Sequence, residues 1–285
     1  FMTKQEISTI TITGANGFVA KNLRNFLSKN HIKVIAIARK TFQKHHTETV
    51  VYSKTLLEKG LQNKLRNCDA LVHLIGIGKQ SSKYNFEDNV DLTKNMIKTC
   101  KKSGIKKIVY MSGLGVTKNS RSDYFISKYK AEQEIINSGL DYTIFRPSYI
   151  VGKKDYLSKF ILKQIKKGIV IIPGSGKYHL QPIFVEDVAK IILESIYEKK
   201  FSNKILDLVG PEIIKFEDFV RYFVKNKKTK IQKINLESIY HDALHNPKSI
   251  YDLDSLNLLI GDYTGNLKQL QKTSNVKLRT IKDIL

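Results

Sequence analysis

Short runs of Val, Ile and Leu alternate with longer amphipathic segments through the first half of the 285-residue chain. The runs are apolar at nearly every position, which is typical of strands buried on both faces of a parallel sheet. The predicted strands are Ile7–Thr13, Lys33–Ala38, Thr49–Tyr52, Ala70–Leu74, Lys107–Met111 and Tyr142–Phe145. The predicted helices are Phe18–Lys29, Leu56–Leu65, Asp88–Ser103 and Tyr124–Asn137. This alternation predicts an α/β protein with a doubly wound parallel sheet, the Rossmann fold.

The rhythm changes after about residue 146, where Pro and Gly divide the chain into shorter pieces. We expect residues 2–150 to form the Rossmann core and residues 151–285 to form a smaller mixed α/β lobe, interleaved with the last strand of the core. In this lobe the predicted helices are Tyr156–Lys167, Val185–Glu198 and Lys215–Val224, and the predicted strands are Val170–Ile172, Ile205–Leu208 and Lys230–Ile234. Residues 236–266 give mixed helix and turn signals.

The chain is strongly basic, with 49 Lys and Arg against 26 Asp and Glu and a formal net charge of +23. Such a charge attracts anions, but the lysines are spread along the sequence. The densest cluster, Lys225, Lys227, Lys228 and Lys230, lacks the interleaved aromatic residues of an RNA-binding motif. We therefore interpret the charge as a solvated surface, and nucleic acid is not an expected partner.

The cysteine content and the hydropathy of the chain indicate which cellular compartment to expect. Two cysteines, Cys68 and Cys100, cannot build a disulfide framework or a structural zinc site by themselves. We find neither the 18–20 apolar residues of a transmembrane helix nor the apolar region of a signal peptide. A cytoplasmic protein without a transmembrane segment is the simplest expectation.

A glycine-rich loop follows the first predicted strand and opens the first predicted helix. Gly14 would make the tight turn and Gly17 would let a pyrophosphate approach the backbone, while the small Ala20 allows close helix packing. Asn16, Phe18 and Val19 complete the predicted site, in which free N–H groups and the helix dipole hold the phosphates. The alternative is an ordinary glycine turn.

The residues that end the second predicted strand indicate which dinucleotide binds. NAD sites usually carry an acidic side chain at this position for the ribose hydroxyls, but residues 7–47 contain no Asp or Glu. Arg39 and Lys40 stand there instead, where they would meet a 2′-phosphate, so NADP (NADPH) is favoured and NAD is the alternative. Arg39 could equally stack on adenine or face solvent.

Six segments, in order, resemble motifs of the extended and atypical short-chain dehydrogenase/reductase superfamily. They are residues 13–18 (TGANGF, like TGxxGF), 89–93 (NVDLT, like NVxGT), 108–112 (IVYMS, like a fifth strand ending in serine), 124–128 (YFISK, like YxxxK), 145–152 (FRPSYIVG, like RPxxxxG) and 183–189 (IFVEDVA, like a motif of the second lobe). The resemblance covers about residues 7–220. It is strongest to the branch that contains the NADPH-binding accessory subunit of respiratory complex I and its relatives of the NAD-dependent epimerase/dehydratase type.

The resemblance implies a catalytic group made of Tyr124, Lys128 and Ser112. Four residues apart on a helix, Tyr124 and Lys128 share one face, and a nearby ammonium would favour the phenolate and lower the pKa of Tyr124. Lys128 would also hold the nicotinamide ribose, and Ser112 would polarise a substrate carbonyl. In a second alignment register Gly113 takes the place of Ser112, and only Thr117, on a loop that folds back, could replace the hydroxyl.

The remaining assignments depend on strand ends and on the second lobe. Leu74 and Pro147 are expected cofactor contacts, whereas His73 is predicted to pack beside the cofactor cleft. His241 and His245 are interpreted as surface or packing residues rather than metal ligands, and no metal is expected. Residues 173–176 (PGSG) resemble the family's loop in the substrate lobe, which is the predicted role of the smaller lobe.

Three functions remain open at this point. The first is an oxidoreductase or epimerase/dehydratase that acts on a carbonyl or a sugar-nucleotide-like small molecule through the Tyr/Lys pair. The second is a non-catalytic NADPH-binding scaffold, assembly or regulatory protein with a protein partner or a second copy of itself, since members of the branch often bind cofactor without an established reaction. The third, suggested by charge alone, is a dinucleotide sensor associated with nucleic acid.

Overall fold

A computed structural model describes residues 9–78, 80–81, 84–120 and 122–283 of the chain. The strands are β1 (Ile10–Thr13), β2 (Val34–Ala38), β3 (Glu48–Tyr52), β4 (Ala70–His73), β5 (Lys107–Met111), β6 (Asp141–Pro147), β7 (Ile150–Val151), β8 (Ile169–Pro173), β9 (His179–Leu180), β10 (Ile183–Phe184), β11 (Lys204–Leu208), β12 (Ile214–Lys215) and β13 (Lys230–Ile234). Seven of them form one parallel sheet in the order β11-β6-β5-β4-β1-β2-β3. This confirms the predicted doubly wound fold.

The helices fill the connections between the strands. They are α1 (Phe18–Lys29), α2 (Leu61–Lys64), α3 (Asp88–Ser103), α4 (Asp123–Ile136), α5 (Tyr156–Ile165), α6 (Val185–Tyr197), α7 (Phe216–Val224), α8 (Leu236–His245), α9 (Leu253–Leu259) and α10 (Leu267–Thr273), with 3-10 turns at Lys199–Phe201 and Ile281–Asp283. Most bounds agree with the sequence prediction to within a few residues. The first strand begins later than predicted, at Ile10, and residues 7 and 8 lie outside the described part of the chain.

The helix predicted over Leu56–Leu65 is wrong in its first half, because only Leu61–Lys64 is helical. Leu56 and Gly60 have φ values of 63° and 82°, in the left-handed region that interrupts a right-handed helix. The carboxylate of Glu58 accepts hydrogen bonds from the preceding loop and stabilises the turn. Apolar spacing alone could not distinguish this turn from a helix.

The sheet is buried on both faces, which is why its strands are apolar at successive positions. One face packs under α1 and α6, and the other packs under α2, α3 and α4. The sheet therefore holds its strand ends in fixed positions, and all seven carboxyl ends lie along one edge.

The second half of the chain contributes to two places. Helix α6 packs against α1 and β11 pairs with β6, so residues 185–208 complete the core. A third apolar cluster joins α5, α7, α8 and α9 to β8 and forms the smaller lobe. Segment 236–266, which the sequence left unassigned, supplies α8 and α9 to this lobe.

A buried ion pair joins α1 to β3. The side chain of Arg24 lies on the buried face of α1 and donates hydrogen bonds of 2.7 Å to both carboxylate oxygens of Glu48. Their side chains are 3% and 0% exposed. Burial alone would raise the pKa of Glu48, but the hydrogen bonds and charge of Arg24, together with the His45 amide, hold that pKa below its ordinary value of 4.5.

We expect Glu48→Ala to lower the free energy of unfolding at neutral pH by about 3–5 kcal/mol, because it leaves the Arg24 guanidinium buried without its anion. The pKa of Glu48 in the folded state lies below its ordinary value of 4.5. The stability that the Glu48 carboxylate contributes is therefore complete above pH 4.5, and it is lost as the pH falls through the folded-state pKa. Urea unfolding of both proteins should therefore converge in acid. The double variant Arg24→Met/Glu48→Leu should lose less stability than Glu48→Ala, and equal losses would contradict this account.

Candidate functional site

The glycine loop passes between the carboxyl ends of β2 and β4, where the strand order reverses. Gly14 has a φ of 66°, and a Cβ there would lie 3.0 Å from the backbone of Leu74 and Ile75. The Gly17 N–H donates to the Gly14 carbonyl at 2.9 Å and closes the turn before α1. The loop thus brings backbone N–H groups to a helix N-terminus at the sheet's switch point, which is where dinucleotides bind in this fold.

The predicted phosphate-binding residues surround this turn. Asn16 is exposed, whereas Phe18 and Val19 are partly buried at the start of α1. A Cβ added at Gly152 would lie 3.5 Å from the Phe18 ring, so Phe18 reaches from the loop to the segment after β6. The loop therefore connects the two halves of the chain.

Arg24 is a supporting residue that the sequence interpretation missed. Besides its pairing with Glu48, its Nη1 donates to the Ala15 carbonyl inside the glycine loop at 3.0 Å. The available signal was its place on the apolar face of α1, between Leu23 and Leu27. Such a buried cation needs an anion, and Glu48 is the first acid that follows the acid-free segment 7–47.

Arg39 and Lys40 are exposed directly after β2. The Arg39 guanidinium lies 4.3 Å above the ring of Tyr84, which belongs to the segment between β4 and α3. As an alternative to binding a 2′-phosphate, Arg39 was expected to stack on adenine or to face solvent. In the structure it stacks on Tyr84. Because β1 lies between β2 and β4, the Arg39–Tyr84 pair joins the segments on either side of the glycine loop.

The segment after β4 is held by a buried amide that the sequence marked only as part of a motif. Asn89 accepts from the Ile77 N–H at 2.8 Å and donates to the Ile77 carbonyl and to the Ser127 hydroxyl, both at 3.1 Å. These bonds fix the strand end to α3 and α4. Leu74, a predicted cofactor contact, is partly buried just before the fixed segment.

Lys128 lies on α4 and is 1% exposed, and its side chain extends to the end of β5. Its ammonium donates to the Met111 carbonyl at 2.7 Å and lies 4.3 Å from the Tyr110 ring centroid. Burial lowers the pKa of Lys128 to about 7, although the charge of Glu132 acts in the opposite direction. The Glu132 carboxylate itself binds Arg146. No carboxylate among the described residues pairs directly with the Lys128 ammonium.

The expected effect of Lys128 on Tyr124 is not found. Tyr124 is partly buried at the start of α4, and burial raises its pKa to about 12. Within the described residues Lys128 directs its ammonium at Met111 and Tyr110 rather than at the Tyr124 hydroxyl. The spacing of four residues places Tyr124 and Lys128 on one helix. The Lys128 ammonium nevertheless binds the Met111 carbonyl at the end of β5 and not the Tyr124 hydroxyl.

Ser112 follows Met111 and is 5% exposed. Its N–H donates to the Phe145 carbonyl, while its buried hydroxyl has no hydrogen-bond partner among the residues that the structure describes. A buried hydroxyl without a partner costs free energy unless something else binds it. A Cβ at Gly113 would lie 3.4 Å from the Phe125 ring, and Thr117 is exposed on the following loop.

Aromatic rings cover the side of the site that faces the smaller lobe. Neighbouring ring centroids lie 5.4–6.2 Å apart along the series Phe86, Tyr124, Phe125, Tyr263 and Tyr149. The lobe contributes the last two rings, and the Tyr149 hydroxyl donates to the Leu258 carbonyl. We name these five residues the aromatic row.

His73 lies fully buried beneath the site, at the end of β4. Its Nδ1 lies 2.7 Å from the Thr13 hydroxyl, its Nε2 lies 3.3 Å from the Thr93 hydroxyl, and its ring stacks on Tyr110. Burial, and after it the charge of Lys128, lowers the pKa of His73 to about 3. His73 is therefore a neutral packing residue at neutral pH.

Pro147 ends β6 on the other side of the site. Its carbonyl accepts the Leu114 N–H at 2.9 Å, which ties β6 to the loop that follows Ser112. The preceding Arg146 binds the buried Glu132 of α4 through both carboxylate oxygens. The RP motif thus connects β6 to the helix that carries Tyr124.

The paired histidines of α8 form no metal site with other described residues. The His241 and His245 rings lie 4.4 Å apart, and no group of three or more His, Cys, Asp or Glu side chains in the described ranges could hold a metal ion. No helix among the described residues is long and apolar enough to cross a membrane.

Two curated relatives align with about three quarters of this chain at low identity. The Neurospora crassa NADH-ubiquinone oxidoreductase 40 kDa subunit, mitochondrial, is 23% identical over 216 residues, covering 72% of this chain and 56% of that protein. The Mus musculus NADH dehydrogenase (ubiquinone) 1 alpha subcomplex subunit 9, mitochondrial, is 24% identical over 223 residues, covering 74% and 59%. The chain thus spans little more than half the length of these relatives.

A solved structure and a family model extend the comparison. A nucleoside-diphosphate-sugar epimerase from Staphylococcus aureus has a TM-score of 0.75 and 17% identity, covering 95% of this chain and 97% of that one, which shows a shared fold. The model of the NAD(P)H-binding family matches residues 14–199, more than half of the chain. The chain therefore belongs to the NAD(P)H-binding family.

Proposed function

We propose that the chain is an NADPH-dependent oxidoreductase or epimerase/dehydratase that acts on a carbonyl-containing small molecule. The observation that carries this proposal is the buried Ser112 hydroxyl without a partner, one residue after the carbonyl that binds the buried Lys128 ammonium. Both groups lose water on folding, and neither has a carboxylate partner among the described residues. A ligand with a polar oxygen at the end of β5 would satisfy them.

A second observation, independent of Ser112 and Lys128, supports dinucleotide binding at the glycine loop. The space that a Cβ at Gly14 would need is filled by the backbone of Leu74 and Ile75, so the loop can lie deep between two strand ends. Gly14, Asn16, Gly17, Phe18 and Val19 would hold the pyrophosphate at the N-terminus of α1. Leu74 and Pro147, at the ends of β4 and β6, would flank the cofactor.

For chemistry, bound nicotinamide would supply or accept a hydride. Tyr124 would give or take the proton of the substrate oxygen, and Ser112 would donate a hydrogen bond to that oxygen. Lys128 would hold the nicotinamide ribose. Its pKa of about 7 means that a small change in its surroundings changes its charge at neutral pH.

For the nucleotide, we propose NADPH over NADH. No acidic side chain stands at the end of β2, and the exposed Arg39 and Lys40 carry positive charge there. The Tyr84 ring supports the Arg39 guanidinium from one side and leaves its edge open to a 2′-phosphate.

For the substrate, the aromatic row supports a ring or a sugar that stacks on Tyr and Phe side chains. A sugar nucleotide is one such molecule, and the Staphylococcus aureus structure of similar fold is described as an epimerase of that class. We propose the substrate lobe as the source of specificity, since Tyr149 and Tyr263 belong to segments that follow β6.

The second candidate is a non-catalytic NADPH-binding protein with a protein partner. It is supported by the Tyr124 pKa of about 12, which leaves the phenol a poor base at neutral pH, and by the names of the two curated relatives, which are subunits of a larger enzyme. For the compartment we keep the cytoplasm as the proposal, and Cys68 and Cys100 are both free thiols.

Replacement of Gly14 should prevent cofactor binding. In Gly14→Ala the new Cβ meets backbone at 3.0 Å and the residue keeps a left-handed φ, which costs about 1–2 kcal/mol before the clash is relieved. We expect calorimetric titration to show at least a tenfold weaker NADPH affinity. Gly78→Ala, whose Cβ enters open space, is the matched control. Equal affinities in the two variants would contradict the placement of the pyrophosphate.

The cofactor preference depends on Arg39. Arg39→Ala should weaken NADPH binding by about 1.5–3 kcal/mol, the value of a hydrogen bond to a charged group, and should leave NADH affinity nearly unchanged. Titration of wild type and variant with both nucleotides measures the gap. Equal wild-type affinities for NADPH and NADH would reject the assignment of the 2′-phosphate to Arg39.

Variants of Tyr124 and Ser112 distinguish the two candidate functions, the enzyme and the non-catalytic NADPH-binding protein. If the chain is an enzyme, Tyr124→Phe should reduce turnover by a factor of about 10²–10⁴ at unchanged NADPH affinity, because only the transferable proton is lost. Ser112→Ala should reduce it by a factor of about 10²–10³. Turnover is measured with a panel of carbonyl and sugar-nucleotide substrates. Full activity of Tyr124→Phe would exclude the proposed chemistry, while NADPH-induced thermal stabilisation without any turnover would favour the scaffold.

A further inference from the structure

A groove in the smaller lobe lies between the exposed face of α7 and the strand β13. Its volume is about 430 Å³, and it is lined by Asp218, Arg221, Tyr222, Val224, Lys225 and Ile231. Tyr222 is 43% exposed although it is a large aromatic residue. None of these residues belongs to the cofactor site, so the groove requires a separate explanation.

Strand β13 has one open edge. It pairs only with β8, in a two-stranded parallel sheet within the described part of the chain. The Lys230 N–H donates to Gly168 and the Ile234 carbonyl accepts from Gly174, so these two residues direct their backbone groups at β8. In a parallel ladder alternate residues face opposite neighbours. The backbone N–H and C=O groups of Ile231 and Lys233 therefore point away from β8, toward the open edge.

The open edge lies in a strongly positive surrounding. Lys225, Lys227, Lys228 and Lys230 are all exposed, and none of them forms an ion pair with any described residue. The acids nearby are few, since Glu217 is occupied by Lys233 at 2.6 Å and Asp218 is the one acid that lines the groove. This lysine cluster is the densest in the sequence and takes no part in the proposed function.

We propose that β13 and the groove beside it bind an extended acidic segment of a protein partner, which adds a strand to the open edge. Backbone groups of Ile231 and Lys233 would pair with the incoming strand, the lysines would attract its carboxylates, and an apolar side chain would enter the groove against Tyr222 and Ile231. Because edge pairing is worth little without side-chain contacts, the groove supplies the anchor.

A peptide fits this surface better than other polyanions do. Lipid headgroups and nucleic acid phosphates can bind lysines, but they cannot satisfy the alternating donors and acceptors along a strand edge. The groove is lined by α7 on one side and by Ile231 of β13 on the other, so a side chain of an added strand would lie next to it.

The test uses the whole chain and a fluorescein-labelled peptide of sequence Asp-Val-Glu-Phe-Glu-Val-Asp, followed by fluorescence anisotropy. Its control carries N-methyl groups at alternate residues, which keep every side chain and charge but prevent strand pairing. We expect the parent peptide to bind in a salt-dependent manner and the methylated peptide to bind at least tenfold more weakly. Equal binding of the two peptides would overturn the proposal.

Two variants of one residue separate backbone from side chain. Lys233→Pro removes an outward-facing N–H that β8 does not use, and proline is tolerated at such edge positions. Lys233→Ala removes the same charge but keeps the N–H. We expect Lys233→Pro to bind the peptide at least tenfold more weakly than Lys233→Ala does, with unchanged NADPH-induced thermal stabilisation in both. Equal peptide affinities in the two variants would reject strand addition.

A charge variant and two competing polyanions complete the test. Lys225→Glu/Lys228→Glu should weaken peptide binding and reduce its salt dependence. Phosphatidylserine vesicles and a single-stranded oligonucleotide should bind more weakly than the peptide. If either of them binds while the peptide does not, the surface recognises phosphate rather than an acidic strand. Should Lys233→Pro fail to fold, the comparison of the two peptides on the wild-type chain still decides.

Discussion

The site depends on the close approach of the Gly14 backbone to the backbone of Leu74 and Ile75. A Cβ added at Gly14 would lie only 3.0 Å from these backbone atoms. This contact lets the loop after β1 lie between the ends of β2 and β4. Because the sheet is buried on both faces, those strand ends cannot move apart to admit a side chain. The glycine loop is therefore fixed between these strand ends, and α1 begins directly after it. The position that we propose for the dinucleotide therefore depends on the packing of the sheet.

Two buried cations in this fold have opposite surroundings, and the contrast indicates their roles. Arg24 binds both oxygens of Glu48 and a loop carbonyl, so its charge is balanced inside the protein. The Lys128 ammonium contacts a carbonyl and an aromatic face, and Glu132, whose charge acts on it, binds Arg146. Burial lowers the pKa of Lys128 to about 7, and the charge of Glu132 opposes this shift only in part. A balanced charge holds a structure together, whereas an unbalanced one is a group for a ligand to complete.

The sequence predicted the sheet and most helices because apolar runs and helical spacing report burial directly. It also placed the glycine loop and Ser112 directly after strands and Lys128 on a helix, and the structure has them on these elements. The shortened helix α2 could not be predicted, since the left-handed Leu56 is stabilised by the Glu58 carboxylate rather than by its own propensity. The direction of the Lys128 ammonium was likewise hidden, because i, i+4 spacing fixes a helix face but not which neighbouring strand carbonyl the side chain reaches. Tyr263 lies far along the chain, and only the folding of the lobe brings it to the aromatic row.

The net charge of +23 acts over the whole surface and raises the local concentration of any anion, but it selects none of them. Selection requires groups with direction. In the core these are backbone N–H groups at the start of α1, where we propose that the pyrophosphate binds. In the lobe they are the N–H and C=O groups of Ile231 and Lys233, which the pairing of β13 with β8 aims along one edge. In both places the backbone supplies direction and the lysines and arginines supply attraction. The surplus of basic residues is therefore consistent with two anionic ligands of different chemistry, a dinucleotide and an acidic peptide, without a general affinity for polyanions.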